Sequence, residues 1–300
     1  MVIVITGPTA VGKTQLSICL SKKIKNLLIV SADSRQVYRF MDIGTDKVSK
    51  DIRKEIPHYL IDMINPDKDF SLFDFLRKSK VIIDFAINNR KNVIFVGGTI
   101  LYILSLVKGY NLLPTNPEIR KKYEKMKYED LKYLIYQLDK RFGTNFYQMY
   151  KDKRRIVRIL EVVEITNKNP IELWKQSQYF PIDKTFILTD RREKIYRNIE
   201  DRVDKQIDRG LVDEVRFILK RFPDAPSFRS MKTFGYAEVI DYIQGKIDLE
   251  SSVNLIKRNT RRFAKRQFSF IKKLQGEIIN LDDFNNDIER VSEYICQRLN

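Results

Sequence analysis

The sequence is poor in the side chains that carry several common kinds of catalytic and metal site. His58 is the only histidine, and Cys19 and Cys296 are the only cysteines among the 300 residues. One histidine excludes histidine-based triads and histidine-rich zinc sites, and two distant cysteines lack metal-ligand spacing. So few cysteines indicate a reduced, intracellular compartment. With no recognisable signal peptide or long apolar run, we expect a cytoplasmic protein without a membrane-spanning segment.

Positive charge, by contrast, is abundant. The chain has 56 Lys and Arg residues against 39 Asp and Glu residues, a net charge of +17. Such an excess gives affinity and steering to a protein that binds a polyanion, whereas an enzyme for a small metabolite gains little from it. A generally lysine-rich surface is the alternative, although it explains scattered lysines better than clustered arginines. The length predicts one α/β core with a large insertion, or two domains.

A phosphate-loop pattern follows the apolar run at the start of the chain. It is G-x-x-x-x-G-K-T, formed by Gly7, Pro8, Thr9, Ala10, Val11, Gly12, Lys13 and Thr14. Between a strand and a helix, its backbone N–H groups and the helix dipole would bind phosphate oxygens. Lys13 would reach the terminal phosphate, and the Thr14 hydroxyl would be a ligand of Mg²⁺. The alternative is a glycine-rich turn with an accidental lysine.

Strand and helix patterns alternate through the first hundred residues and return near the end. Strands are predicted at residues 1–6, 27–30, 59–61, 92–96, 184–190 and 277–281. This alternation predicts a P-loop-type α/β fold, a parallel sheet flanked by helices, with ligands at the carboxyl ends of the strands. A helix is predicted from Lys13 to Lys25, and another from the N-cap Ser71 to about Asn89.

The middle of the chain has a different character, helical, aromatic and basic. We therefore predict a first part of the core at residues 1–115, a helical insertion at 116–180, and the remainder of the core, with basic helices, at 181–300. The insertion would lie between two strands of the same sheet.

Polar residues follow two of the predicted strands. Asp33 could be an outer-shell Mg²⁺ ligand, a general base, or a turn and cap residue. The next three residues, Ser34, Arg35 and Gln36, suit recognition of base edges or sugars. Thr99 follows a Gly-Gly pair, which allows either a close approach of backbone to ligand or a helix N-cap. Asp62 and Asp190 also end strand-like runs, so a nucleotide-hydrolysing site stays open.

Two clusters of basic residues lie in helical patterns. Arg154, Arg155 and Arg158 are spaced so that two pairs share a helix face. The second cluster has two parallel cationic stripes, Lys257, Arg261 and Lys265 beside Arg258, Arg262 and Arg266. A stripe of one sign repels itself without a counter-charge, so we favour nucleic-acid phosphate over a merely solvated face.

With these residues noted, the chain closely resembles the tRNA dimethylallyltransferases of bacterial type. The phosphate loop reads as the family's G-P-T-A-x-G-K-T. Further ordered matches are D-S-x-Q-x-Y at residues 33–38, D-I-G-T-x-K at 42–47, P-H-x-L-I-D at 57–62, V-G-G-T at 96–99, R-x-x-R-x-L-E at 155–161, a G-Y pair at 235–236 and T-R-x-x-A-K-R-Q at 260–267. So many matches in order are far more specific than a phosphate loop alone.

The resemblance implies transfer of a dimethylallyl group from dimethylallyl diphosphate to N6 of the adenine 3′ of the anticodon. It implies Mg²⁺ as cofactor, the anticodon stem-loop of tRNA as partner, and a monomer. Asp33, Thr99 and Arg120 would be catalytic, and residues 7–14 would bind the diphosphate. The residues implied to contact tRNA are Asp33, Ser34, Arg35, Gln36, Arg154, Arg155, Arg158, Arg261, Lys265 and Gln267.

Some residues depart from the family pattern, and two other functions stay open. Val48 stands in place of a proline, Tyr59 in place of a second histidine, and Ile100 in place of a small residue. An adenylate isopentenyltransferase would share the phosphate loop and the Asp33 segment but would not need the insertion or the cationic stripes. An RNA-binding protein that hydrolyses nucleotides, or has no activity, is the third hypothesis.

Overall fold

The computed structural model describes residues 1–109, 113–175 and 180–299. Within these ranges a single sheet has the strands β1 Val2–Thr6, β2 Leu27–Ser31, β3 His58–Tyr59, β4 Asn92–Gly97, β5 Lys184–Thr189 and β6 Glu277–Asn280. Their order is β3-β2-β4-β1-β5-β6, and every neighbouring pair is parallel. The predicted α/β fold with a parallel sheet is confirmed.

Two compact units make up the described chain: one is residues 1–107 with 180–300, and the other is residues 108–179. The first unit, which contains the sheet, has the helices α1 Lys13–Lys23, α2 Lys50–Glu55, α3 Leu72–Asn88, α4 Ile100–Val107, α10 Arg192–Asp208, α11 Leu211–Arg221, α12 Tyr236–Ile243, α13 Leu249–Ile271 and α14 Ile288–Leu299. The second has α5 Pro117–Glu124, α6 Tyr128–Phe142, α7 Phe146–Met149, α8 Lys153–Thr166 and α9 Pro170–Lys175.

Alternate residues of the central strands face opposite sides of the sheet, as the period of a strand requires. Ile3 and Ile5 of β1 are fully buried in a cluster with residues of α1, α10 and α14. On β4, the ring of Phe95 packs edge-on against Phe75 of α3, which stacks on Tyr102 of α4 with centroids 4.0 Å apart. Helices therefore cover both faces. Because β1, β2 and β4 pair in parallel, their carboxyl ends lie at the same edge of the sheet.

The second unit has a hydrophobic core of its own. Leu131 and Ile135 of α6, Phe146 of α7 and Ile156 of α8 are each no more than 1% exposed. The N-cap Asp152 accepts hydrogen bonds from the N–H groups of Arg154 and Arg155 and so begins α8. The expected helical character of the middle segment is confirmed.

The predicted start of α3 is confirmed, and the predicted third strand is wrong in its bounds. Ser71 and Asp74 form a capping box at the N-terminus of α3. Strand β3 ends at Tyr59 instead of reaching residue 61, because Leu60 and Asp62 have φ values of 61° and 54°. Left-handed backbone cannot continue a strand. Across the described residues, no helix combines the length and apolarity that crossing a membrane requires.

Candidate active site

The phosphate loop connects β1 directly to α1, as its sequence predicts. Ala10 and Gly12 have left-handed backbone, with φ values of 63° and 97°, and Gly12 is the N-cap of α1. The ammonium group of Lys13 donates to the carbonyl oxygens of Gly7 and Pro8, at 3.0 and 2.7 Å. The lysine therefore lies folded over the loop that an anion would enter.

Loss of hydration lowers the pKa of Lys13 to about 7. The positive charge of Arg202 acts in the same direction, and the negative charge of Asp33 opposes it. A diphosphate bound beside this amine would stabilise its charged form. The loop thus contains a cation whose charge depends on what occupies the site.

Asp33 and Thr99 lie on neighbouring loops that follow β2 and β4. The N–H of Ser34 donates to Oγ1 of Thr99 at 2.9 Å, and the N–H of Arg35 donates to the Asp33 carboxylate at 2.8 Å. The first bond joins the two loops. The second holds one carboxylate oxygen of Asp33, and this half-buried residue lines the cleft.

Close backbone packing permits this arrangement at the ends of β2 and β4. A Cβ atom on Gly97 would lie 2.3 Å from the carbonyl oxygen of Ala32, far below a normal contact. The N–H of Thr99 donates to the same carbonyl at 3.3 Å. A side chain at position 97 would therefore separate the segments that carry Asp33 and Thr99.

A cleft of about 300 Å³ lies between these elements. Lys13, Thr14 and Asp33 are all among its lining residues, so the predicted phosphate loop and the predicted base share one cavity. Apolar side chains, Ile29 and Ile61 among them, line it too. The cleft thus offers both a cationic anion site and apolar walls, as a ligand with a charged and an apolar end requires.

The D-I-G-T segment forms another part of the cleft wall, and a distant carboxylate holds it. Glu214 of α11 accepts hydrogen bonds from the N–H groups of Asp42, Ile43 and Gly44, at 2.9, 2.7 and 3.1 Å. It also accepts one from the hydroxyl of the buried Tyr236, at 2.7 Å. Glu214 could not be identified from the sequence, since nothing local relates it to a segment about 170 residues away.

Lys47, the last residue of that motif, is buried and fully paired. Its ammonium contacts Asp42 at 2.7 Å, Asp62 at 2.6 Å and the carbonyl of Tyr38. Arg53 also pairs with Asp62, at 2.7 Å, and these two cations hold the pKa of the Asp62 carboxyl below its usual range against the effect of burial. Asp62 is thereby committed to ion pairs, which removes one of the carboxylates considered for nucleotide hydrolysis.

Arg202 of α10 belongs to the cleft, although no local sequence motif marks it. Its side chain is only 23% exposed and lines the cleft. The guanidinium is 3.7 Å from Asp46, while the buried Nε finds no hydrogen-bond partner within the described residues. An incompletely paired guanidinium near Lys13 is suited to an anion, since it presents donors in a fixed geometry.

Two glutamines predicted to contact tRNA also make hydrogen bonds within the protein. The amide of Gln36 accepts from the Ser31 hydroxyl at 2.9 Å and donates to the carbonyl of Thr45 at 3.2 Å. Gln267 is 2% exposed, accepts from the N–H of Thr9 and donates to the carbonyl of Gly98, both at 2.8 Å. Both glutamines also line the cleft, so a contact of either with tRNA stays a prediction.

The side chains of the cleft could hold Mg²⁺ only together with phosphate oxygens of a bound ligand. No three His, Cys, Asp or Glu side chains cluster as a metal site in the part of the chain that the structure describes. Thr14 is exposed in the cleft, and Asp33 lines the same cavity. Mg²⁺ characteristically takes few protein ligands together with substrate phosphates and water. Thr14 and a bound diphosphate could hold the ion in this way.

In the second unit, Arg120 and Arg158 share one buried carboxylate. Glu161 is fully buried and contacts both guanidinium groups at 2.8 Å, and these cations lower its pKa against burial. Arg158 also donates to the carbonyls of Leu113 and Pro114. The sequence predicted catalytic and tRNA-binding roles for these arginines, and the structure adds an internal one. Arg154 and Arg155 are exposed.

The first cationic stripe of α13 has counter-charges that the sequence did not reveal. Lys257 pairs with Asp204 at 2.6 Å, and Arg261 pairs with Glu200, both acids lying on α10. The prediction that this stripe lacks counter-charges is therefore wrong. Lys265 stays exposed, as do Arg258, Arg262 and Arg266 of the second stripe.

Comparison with known proteins shows the family of this chain. The IPP transferase family model matches residues 36–274. A tRNA dimethylallyltransferase of Thermosipho africanus is 37% identical, with 98% of each chain covered. The crystal structure of a tRNA delta(2)-isopentenylpyrophosphate transferase from Staphylococcus epidermidis has a TM-score of 0.71 at 30% identity, covering 99% of this chain and 98% of that one.

A second solved structure is that of a eukaryotic dimethylallyltransferase acting on tRNA. Its TM-score is 0.75 at 25% identity, with coverage of 93% of this chain and 73% of the eukaryotic one. The family match, the identity over nearly the whole chain and the shared fold agree with each other. The chain belongs to the IPP transferase family.

Proposed function

We propose that this protein transfers a dimethylallyl group from dimethylallyl diphosphate to N6 of the adenine 3′ of the anticodon in tRNA. The observation that carries the proposal is the shared cleft: Lys13 and Arg202 lie in the same cavity as Asp33. A leaving anion and an attacking amine need groups of opposite charge at opposite ends of one site. The relatives' names identify the same reaction class.

At one end, the phosphate loop would hold the departing diphosphate. The bond between the first prenyl carbon and the diphosphate oxygen breaks, and its electron pair leaves with the oxygen. Lys13 and Arg202 would stabilise the developing charge, because preorganised cations need no rearrangement during the reaction. Mg²⁺ held through Thr14 and the phosphates would supply further charge neutralisation. Apolar walls such as Ile29 and Ile61 suit the five-carbon chain.

At the other end, Asp33 would accept the proton that N6 loses as it forms the new carbon–nitrogen bond. The lone pair of an adenine amine is delocalised into the ring, so the amine is a poor nucleophile and positioning must supply much of the rate. Thr99 holds the Asp33 loop through Ser34. The adenine must leave the anticodon stack to enter the cleft.

The phosphates of tRNA are the proposed partners of exposed basic residues on α8 and α13. Arg154 and Arg155 are exposed on α8, as are Arg262 and Arg266 on α13. Phosphate contacts of this kind fix the register of a nucleic acid without reading its sequence. We further infer that the protein acts in the cytoplasm as a monomer.

Labelled dimethylallyl diphosphate and unmodified tRNA with adenines 3′ of the anticodon provide the test. After digestion, mass spectrometry should show one added five-carbon group on the adenosine at that position and diphosphate among the products. Vigorous ATP hydrolysis with every nucleoside unprenylated would overturn the proposal. Free AMP as the better acceptor would favour an adenylate isopentenyltransferase, and its binding would change little with salt.

A further inference from the structure

The buried amide of Gln267 joins the phosphate loop to the loop that follows β4. Its Oε1 accepts from the N–H of Thr9 in the phosphate loop, and its Nε2 donates to the carbonyl of Gly98, which precedes Thr99. Each bond is 2.8 Å long, and the side chain is 2% exposed. No atom of Gln267 needs to touch a substrate for this connection to exist.

The position of Gln267 in the chain makes this bridge unusual. It projects from α13, 258 residues after Thr9 and 169 residues after Gly98. The strands before the two loops are already neighbours, since Thr6 of β1 pairs with Gly97 of β4. The sheet therefore fixes where the loops begin, and the amide of Gln267 links them beyond the last strand residue.

The contact is tight on the Gly98 side. A Cβ atom on Gly98 would lie 2.5 Å from Nε2 of Gln267 and 3.6 Å from Nζ of Lys13. Position 98 thus has room for the amide or for a side chain, but not for both. The same geometry brings the amide close to the lysine that would neutralise the diphosphate.

We propose that Gln267 is a positioning residue that sets the distance between the diphosphate site and the Thr99–Asp33 end of the cleft. By holding the N–H of Thr9, it also directs that donor away from the anion, which leaves the later amides of the loop to bind phosphate. The proposal rests on the proposed function for its kinetic consequence, although the bridge itself does not. Reaction geometry is sensitive to such spacing, and a shift of about 1 Å can cost about a hundred-fold in rate.

The first test is Gln267→Leu, which keeps the approximate volume and removes both hydrogen bonds. At saturating tRNA we expect kcat to fall between about ten-fold and a hundred-fold, while the KM for tRNA changes less than about two-fold. Ser269→Ala, an exposed position on the same helix, is the matched control and should retain wild-type values. A raised KM for tRNA with unchanged kcat would overturn the proposal, since that pattern belongs to an RNA contact.

Gln267→Glu separates the two halves of the bridge. The carboxylate can still accept from Thr9 but cannot donate to Gly98, so kcat should stay below wild type. Gly98→Ala attacks the same contact from the other loop. Combined with Gln267→Leu, it should add little further loss, because two changes that break one contact are not additive. Full additivity of the two losses would overturn the proposal.

Binding and folding measurements keep the bridge testable apart from catalysis. Thermal unfolding shows whether Gln267→Leu folds, and Gln267→Glu serves if it does not. Calorimetry with inorganic diphosphate should show weaker binding by about ten-fold for the folded variant. Unchanged diphosphate affinity together with unchanged kcat would overturn the inference. If the wild-type protein binds diphosphate but transfers nothing, the proposed function fails. The role of Gln267 is then still tested by comparing the diphosphate affinities of the wild type and the variant.

Discussion

The hydroxyl of Thr99 accepts a hydrogen bond from the backbone N–H of Ser34, 2.9 Å away, and so ties the loop after β4 to the loop that carries Asp33. Three acids, Asp33, Asp62 and Asp190, follow predicted strands. Of these three, only Asp33 lines the cleft. Asp62 is held by Lys47 and Arg53, and Asp190 is 7% exposed at the start of α10.

Replacing Asp33 by Asn should abolish most transfer without weakening tRNA binding. The amide keeps the size and an acceptor for Arg35 but cannot take the proton from N6. We expect kcat to fall by about 10²- to 10⁴-fold, the usual contribution of a general base. Single-turnover rates and a tRNA filter-binding assay check both parts. Asp84→Asn, an exposed acid on α3 paired with Lys80, is the control.

Arg202→Gln should raise the KM for dimethylallyl diphosphate by about ten-fold or more, because a hydrogen bond to a charged group is lost. Arg209→Gln is the matched control. Arg209 approaches the same Asp46, at 3.8 Å, but it is 54% exposed and does not line the cleft. Steady-state kinetics at saturating tRNA compares the two variants. Equal effects at both positions would argue against a specific role for Arg202.

The charge of Lys13 should change near neutral pH in the free protein. Its pKa of about 7 lies below the ordinary value of 10.5, so the unfolded chain binds this proton more tightly. The contribution of Lys13 to stability therefore falls as the pH decreases from about 10.5 to about 7. Competitive acetylation read by mass spectrometry should give a midpoint near pH 7, and bound diphosphate should move it upward. A midpoint near 10.5 in the native protein would contradict this prediction.

Glu214→Gln should destabilise the protein by about 2–3 kcal/mol. The carboxylate accepts from three backbone N–H groups and the Tyr236 hydroxyl, and an amide can replace only part of this set. Tyr236→Phe removes one of these bonds and should cost only about 1 kcal/mol. Urea unfolding monitored by circular dichroism measures both. A smaller loss for Glu214→Gln than for Tyr236→Phe would show that the segment at residues 42–44 needs no such anchor.

Arg155 and Arg158, three residues apart on α8, should behave differently. Arg155 is exposed, with its guanidinium 5.8 Å from the centre of the Tyr150 ring. Arg155→Ala should weaken tRNA binding with little effect on stability. The slope of log K against log salt concentration should fall in magnitude by about one, the value for one lost phosphate contact. Arg158→Ala leaves the buried Glu161 with one cation instead of two, so it should destabilise the protein. Salt titrations of binding and unfolding curves distinguish the pair.

Local pattern was sufficient for much of the fold. The phosphate loop, the capping box at Ser71 and the order of strands and helices depend on neighbours in sequence, and the structure contains each of them. The end of β3 was mispredicted because the left-handed backbone of Leu60 leaves no trace in an apolar run.

The unpredicted parts of the site all depend on partners distant in sequence. Arg202 could not be identified from the sequence because no local motif relates α10 to the phosphate loop. Lys257 was taken for an uncompensated cation because Asp204 lies on another helix. Likewise, the roles of Glu214 and Gln267 follow from tertiary contacts alone.

The missing side chain at position 97 has a consequence for how this catalyst could vary over evolution. Even a methyl group there would collide with the Ala32 carbonyl. Any larger residue at position 97 would therefore move Asp33 and Thr99 apart. Substitutions in the cleft wall can change which donor or acceptor binds, whereas Gly97 cannot be replaced without moving the backbone of Ala32. Alanine at position 97 should therefore be strongly selected against, although it adds only one methyl group.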